Sequence, residues 1–330
     1  TYEDYLTLAG TSHDVGQAKQ TTRLLDCTLR DGGYINNWMF DDEFVSKFLP
    51  LIGNIVDVIE VGFINTPQTY RACPVGKYRN LTRSHLASLR RLTPCKIAVM
   101  ADLNALNRDA IFPYNEDVDM VRIAFSKPDV ESAKDLAKEL VLEGYEVCLN
   151  FMSSHLYEPR ELVAHAAEVP DVIPYVVDSL GCMTSCEVKS YTSVLPKKCG
   201  IHLHNNLQQA MGTYSSICCG IVDASVLGMG RGAGNLPLEL CNISTDERLR
   251  ILQFSDVHMS NIPRTWGYMP EFVLQATLKC HPNFVVKMTD MGLHRQFIYK
   301  VLSELKGVAK FELSTLYEVF RRLEEANDAE

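Results

Sequence analysis

Eight short, apolar, β-branched runs punctuate the chain, at residues 23–29, 55–63, 95–103, 120–125, 146–152, 172–179, 200–206 and 222–230. Between them lie stretches with helical periodicity, among them "DDEFVSKFLPLIG", "SHLASLRRL", "DVESAKDLAKELVLEG", "EPRELVAHAAEV", "CEVKSYTSVLP" and "LQQAMGTYSSICCG". Several open on Asp or Ser and close on Gly or Pro, the chemistry of helix starts and stops. Regular alternation of this kind predicts a parallel sheet with helical crossovers. Runs that are almost continuously apolar, instead of alternating, fit strands buried on both faces. Eight units predict an α/β fold, a (β/α)8 TIM barrel over residues 23–255, and a doubly wound sheet is the rival reading of the same alternation. Residues 1–22 read as an N-terminal arm. After about 255 the texture changes to helical segments without barrel strands, so residues 256–330 are expected to form a helical C-terminal module, a possible homo-oligomer contact.

Composition removes several function classes. A formal net charge of −9 and the lack of a Lys/Arg cluster argue against nucleic acid. Nothing in the sequence approaches the roughly 20 apolar residues of a membrane span, and the first residues lack the charged-then-apolar form of a signal peptide. A soluble, cytoplasmic protein is expected. The eleven cysteines are odd in number, Cys218 and Cys219 are adjacent, and Cys27, Cys95 and Cys148 sit inside strand-like runs. That pattern suits buried, reduced thiols better than a disulfide framework.

In a barrel the C-terminal strand ends converge on one mouth, which turns those ends into a list of candidates. The first run, "LLDCTLRDGGY", stops in Arg30 and Asp31 followed by two glycines, which we read as leaving room for a substrate. The second carries Glu60, the fourth Arg122, the sixth ends in Asp178 and Ser179, and the seventh holds His202 and His204. Residues two apart on a strand share a face, so His202 and His204 can converge on one ion while Leu203 packs outward. With Asp31 as a third ligand this makes a mixed N/O site suited to Mn²⁺, and also to Mg²⁺, Co²⁺ or Zn²⁺. The competing reading is a hydrogen-bonded structural His pair. Asp26, inside the first strand, reads as a barrel-interior group or one that orients ligands.

The glycine-rich "GMGRGAGN" after the eighth run fits a dinucleotide fingerprint only loosely and comes late in the chain. Its glycines more naturally let the backbone approach the mouth, with Asn235 offering a carbonyl oxygen to the metal or its water.

"LDCTLRDGGY", "IEVGF", "VVDSLG", "HLHNN" and "VDASVLGMGRGAGNLPLE", in this order and at barrel spacing, resemble the metal-dependent lyase and synthase superfamily. That superfamily includes 3-hydroxy-3-methylglutaryl-CoA lyase, isopropylmalate and homocitrate synthases and 4-hydroxy-2-oxovalerate aldolase. The segment "DASVLGMGRGAGN" is most similar to the aldolases. The resemblance implies Asp31, His202 and His204 as metal ligands, Arg30 as the enolate-stabilising arginine, and Asn235 as a further ligand position. It implies a divalent cofactor, Mn²⁺ foremost, and a small 2-oxo acid as substrate.

The chain also departs from that pattern. The aldolases carry a catalytic His just after the Arg-Asp pair, whereas here "GGYINNW" makes Tyr34 the nearest group. The proton-transfer role therefore falls to Tyr34, His155 or Glu60, and a phenol, ordinarily titrating near pH 10, would need perturbation to act as a base. Thr28, Arg122 and Ser179 could hydrogen-bond the substrate carboxylate, though Arg122 could equally pair with acids in the core. The module past 255 has no clear match to the aldolase segment that docks an aldehyde dehydrogenase, so channelling to a partner is not assumed. The expected reaction is cleavage or formation of a 4-hydroxy-2-oxo acid, giving a pyruvate enolate and an aldehyde. A Claisen-type acyltransferase joining acyl-CoA to a 2-oxo acid is the alternative, and a non-catalytic barrel the third.

Overall fold

The computed structural model describes residues 22–67 and 74–328. The expected N-terminal arm lies almost wholly outside these. Eight parallel strands close in sequence order: β1 (Arg23–Asp26), β2 (Val58–Phe63), β3 (Lys96–Asp102), β4 (Met120–Phe125), β5 (Glu146–Phe151), β6 (Ile173–Asp178), β7 (Gly200–Leu203) and β8 (Ile221–Ala224), with β8 pairing back onto β1. Seven of the expected runs contain their strand and the eighth overlaps it, β8 starting one residue early at Ile221, and the doubly wound alternative is excluded because the sheet has no edge. The strands are shorter than the runs at β1, β7 and β8, where the chain leaves the ladder to shape the mouth.

The short turn α1 (Gly33–Asn36) and helix α2 (Asp42–Ile52) follow β1, and α3 (Arg83–Arg90) follows β2. Asp41 caps α2 by accepting the Phe44 N–H at 2.6 Å. The β3–β4 connection is made of 3₁₀ turns, as the missing helical periodicity there requires. Then α4 (Val130–Glu143), α5 (Pro159–Ala167), α6 (Ser185–Thr192), α7 (Ala210–Ser216) and α8 (Thr245–His258) follow the remaining strands. Thr184 and Ser244 open α6 and α8 with reciprocal capping boxes. Leu25, Val58, Ala98, Met120, Cys148, Tyr175 and Ile221 fill the barrel interior. Residues of opposite parity, such as Ile59, Val99, Val121 and Leu149, pack under the helices.

Helices α9 (Pro270–Thr277), α10 (Asn283–Asp290), α11 (Arg295–Glu304) and α12 (Leu313–Asp328) follow, so the chain ends in helices as expected. Phe272, Phe284, Met288, Val301 and Leu316 give them a hydrophobic cluster of their own. The boundary expected at 255 falls inside α8, three residues before its end at His258.

All ten cysteines among the described residues are free thiols, eight of them buried. No helix among these residues is long and apolar enough to cross a membrane.

Candidate metal centre

β1 ends at Asp26, and the next turn is fixed by its own backbone, with the Asp31 N–H donating to the Cys27 carbonyl at 2.8 Å. Trp38 Nε1 clamps the same turn by donating to the Arg30 carbonyl at 2.8 Å. Gly33 serves this clamp, while Gly32 lies against the Thr28 carbonyl, 2.3 Å from where its Cβ would stand. A Cβ on Gly33 would stand 2.1 Å from the Trp38 ring, so Gly33 makes room for tryptophan and not for substrate as the sequence suggested. Asp26, opposite in parity to the inward Leu25 and Cys27, accepts both the N–H and the hydroxyl of Thr28, at 3.1 and 2.7 Å. Burial, opposed by the Thr28 hydrogen bonds, raises its pKa to about 7.

The turn delivers Arg30 and Asp31 to the mouth, both buried. Asp31 Oδ1 accepts from Arg30 at 2.6 Å and Oδ2 from Asn235 Nδ2 at 2.8 Å. Burial opposes ionisation of Asp31, but the charges of Arg30, His204, His202 and Arg231 outweigh it and hold the carboxyl well below its usual range. Two strands away in the closed sheet, β7 brings His202 and, one step past its end, His204, with ring centroids 4.9 Å apart and planes at 87°. One ligand atom from each of Asp31, His202 and His204 lies within 4.8 Å of the others. Burial in particular pushes His204 down to about 3, so its lone pair stays available.

Beneath the mouth the two ends of this trio are joined through the barrel interior. Asp31 contacts Arg30 at 2.6 Å, Arg30 contacts Glu60 at 2.7 Å, and Glu60 lies 2.9 Å from Arg122. Arg122 reaches Asp223 at 2.6 Å, and Asp223 meets His202 Nδ1 at 2.9 Å. The Tyr175 hydroxyl donates to the other Asp223 oxygen at 2.9 Å. This chain holds three carboxylates against two guanidinium groups, so with neutral histidine it keeps one negative charge in excess. Such a site suits a cation.

The donor atoms fit a divalent metal. His202 Nδ1 is occupied by Asp223, which leaves Nε2 as the coordinating nitrogen, and that atom is buried without a hydrogen-bond partner. His204 Nδ1 and Asn235 Oδ1 are likewise buried and unpartnered. Buried polar atoms are rarely left unpaired, so this concentration around one point marks the place of a ligand. Gly230 keeps the place open, because a Cβ there would lie 2.4 Å from Asn235 Nδ2 and 2.6 Å from Asp31 Oδ2.

Arg30, Asp31, Tyr34, Ser179, His202 and His204 line one cleft of about 480 Å³, open to solvent. Asn235 stands behind Asp31. Thr28, Arg122 and His155 are not brought to the cleft wall. Thr28 Oγ1 is engaged by Asp26 and by the Val226 N–H. Arg122 lies in the core with its acids, as one of its two expected roles required. His155 occupies a 3₁₀ turn after β5, where burial and the charge of Lys279 lower its pKa against the opposing effect of Glu187.

Sequence reasoning did not single out Asp223, Asn150 or Arg231. An Asp of inward parity inside the apolar run "IVDAS" was a readable signal for the first. Asn150 shares the inward parity of Cys148 on β5 and lines the cleft, as does Arg231 from the glycine-rich turn.

Residues 21–260 match the family model HMGL-like. The chain belongs to the HMGL-like family. Among similar proteins, a 4-hydroxy-2-oxovalerate aldolase of Geobacillus genomosp. 3 is 32% identical over 67% of this chain and 69% of its own. An oxaloacetate decarboxylase of Mycobacterium tuberculosis is 28% identical over 68% of this chain and 70% of its own. A solved structure, the N-terminal domain of a Bacteroides vulgatus protein described as a candidate aldolase, superposes with a TM-score of 0.71 at 28% identity, covering 83% of this chain and 98% of that one. The carboxyl transferase domain of Rhizobium etli pyruvate carboxylase shares the fold, at a TM-score of 0.67 and 15% identity over 94% of this chain and 61% of that one. The match to the HMGL-like model ends at residue 260, before α9, so the C-terminal helices stand outside it.

Proposed function

We propose that this HMGL-like chain cleaves and forms the C3–C4 bond of 4-hydroxy-2-oxo acids at a divalent metal, Mn²⁺ foremost, held by Asp31, His202 and His204 with Asn235 beside them. The convergence of the three ligand groups at the barrel mouth, with the Arg30 guanidinium locked against Asp31, carries the reading. When bound, the cation supplies Lewis acidity toward the carboxylate and keto oxygens of a 2-oxo acid.

The remaining chemistry belongs to side chains. Arg30 stays charged, since Glu60 and Asp31 outweigh the cost of its burial and raise its pKa. A fixed cation beside the keto oxygen stabilises the enolate charge that develops as the C–C bond breaks. Ser179 Oγ accepts the Ser153 N–H at 2.8 Å, which leaves its own proton to donate to the substrate carboxylate. Tyr34 is on the cleft wall, whereas His155 is off it and Glu60 is held between Arg30 and Arg122, so the proton of the 4-hydroxyl is assigned to Tyr34. Val177, Met152, Met100 and Phe63 give the cleft its apolar wall, beside the polar Asp102, Asn150 and Arg231, and limit water around the enolate.

Pyruvate release from a panel of 4-hydroxy-2-oxo acids, with Mn²⁺ and with EDTA, tests this on wild type and Asp31→Asn. Release that needs the metal and is lost in the variant is expected. Mn²⁺ binding without release from any substrate would turn the assignment toward acyl transfer, read by CoA thiol formation.

A further inference from the structure

The metal-bearing cleft does not end at its own rim. Tyr34 and Arg231 also border a second cavity of about 880 Å³, whose other walls come from Ile35 and Asn37 on the β1 side and from Met269, Phe272, Asn283, Val286 and Asp290 in the C-terminal module. A substrate that reaches from Asp31, His202 and His204 into this second cavity passes Tyr34 and Arg231, which border both.

Charge balance distinguishes Arg231 from the other arginines at this end of the barrel. Arg30 is matched by Asp31 and Glu60, and Arg122 by Glu60 and Asp223. Among the described residues no carboxylate lies within ion-pair distance of Arg231. Its guanidinium is nevertheless held in place. One NH₂ donates to the Ser179 carbonyl at 2.9 Å, and the group sits 5.5 Å from the Tyr34 ring centroid. Its Nε is buried without an acceptor. A fixed cation that no carboxylate contacts directly, at the junction of two cavities, is placed to meet an anion that arrives with the ligand.

We propose that Arg231 recognises a second carboxylate on the departing half of the substrate, so that this chain acts on short 4-hydroxy-2-oxo dicarboxylic acids. This rests on the aldolase reading. Asp290, exposed on the part of the second cavity wall that the C-terminal module supplies, repels an anion that extends toward it, which favours a carboxylate placed directly on C4. In the cleavage step the C3–C4 bond breaks and its electron pair stays on C3 as the enolate. The 4-hydroxyl gives up its proton, C4 becomes the aldehyde carbon of a 2-oxo acid, and the enolate takes a proton at C3 to leave pyruvate.

The test compares 4-hydroxy-2-oxoglutarate with 4-hydroxy-2-oxopentanoate, which share a head and differ by carboxylate against methyl. Wild type should favour the diacid in kcat/KM, and Arg231→Gln should shrink that preference by about 10- to 100-fold, mainly through KM, with partial recovery in Arg231→Lys. Equal losses on both substrates, or a wild-type preference for the methyl compound, would overturn the proposal. A readout without turnover separates it from the aldolase reading. 2-Oxoglutarate should raise the thermal midpoint more than 2-oxopentanoate does, and the difference should vanish in Arg231→Gln. If neither substrate releases pyruvate the aldolase reading fails, while the two midpoint shifts still decide the role of Arg231; equal shifts in wild type would sink it.

Discussion

His202 Nδ1 and Asp223 Oδ2 stand 2.9 Å apart, and this contact ties the metal end of the barrel to the ionic chain in its core. The carboxylate fixes which imidazole nitrogen carries the proton, so Nε2 faces the ligand position with its lone pair. The same Asp223 oxygen also neutralises Arg122 at 2.6 Å.

Asp223→Asn should therefore do two things together. Mn²⁺ affinity, measured by calorimetric titration, should fall about 10- to 100-fold as the imidazole loses its orienting acceptor. Urea unfolding should show a loss of about 3 kcal/mol, because a buried arginine is left with one acid instead of two. An unchanged Mn²⁺ affinity would show that the contact serves the core alone.

Gly230→Ala isolates the ligand cradle from the fold. Gly230 has no positive φ, so the backbone accepts alanine, but the new Cβ would press on Asn235 Nδ2 and Asp31 Oδ2. The two groups must move apart, and Mn²⁺ affinity should fall at least about tenfold, as it does when groups that orient ligands are disturbed. The far-UV circular dichroism spectrum should be that of wild type. Undiminished Mn²⁺ binding would mean that the Asp31–Asn235 placement is not needed by the metal.

These two residues show what the sequence could and could not convey. Period-two parity was enough to pair His202 with His204, and the same rule applied to "IVDAS" would have turned Asp223 inward. Its partner could not be read, since Arg122 and Asp223 meet across the barrel from 101 residues apart. The apolar runs marked burial and not ladder pairing, which is why β7 stops at Leu203 although the run extends to 206. His204 leaves the strand and bridges instead to Asn235. Arg231 lay in a turn read only for its glycines, and what sets it apart is that no carboxylate contacts it directly, a property of the folded surroundings.

The acid side of the stability profile should carry the signature of His204. Its pKa falls from 6.5 toward about 3 in the fold, chiefly because burial disfavours the imidazolium. Between those values the unfolded chain binds the extra proton and the folded chain does not, so stability is full above pH 6.5 and is lost as pH falls. The slope from this one group approaches about 1.4 kcal/mol per pH unit. In metal-free protein the unfolding free energy should drop between pH 6.5 and pH 4.5, and His204→Gln should flatten that decline. Equal slopes in variant and wild type would show that the imidazole is protonated without cost.

Arg30→Lys tests whether the guanidinium acts by geometry or by charge alone. Arg30 uses Nε for Glu60 and a terminal nitrogen for Asp31, two directions fixed by one planar group. A lysine ammonium keeps the positive charge but is a single point on a flexible stem, and cannot hold both acids while facing the enolate. If Arg30 stabilises charge that develops only as the bond breaks, kcat for pyruvate release should fall about 10²- to 10³-fold, with a much smaller change in KM. Mn²⁺ should still bind, since Asp31, His202 and His204 are untouched, and titration of the metal into the variant checks this independently. A variant with wild-type kcat would show that Arg30 serves the ionic chain beneath the mouth and not the reaction.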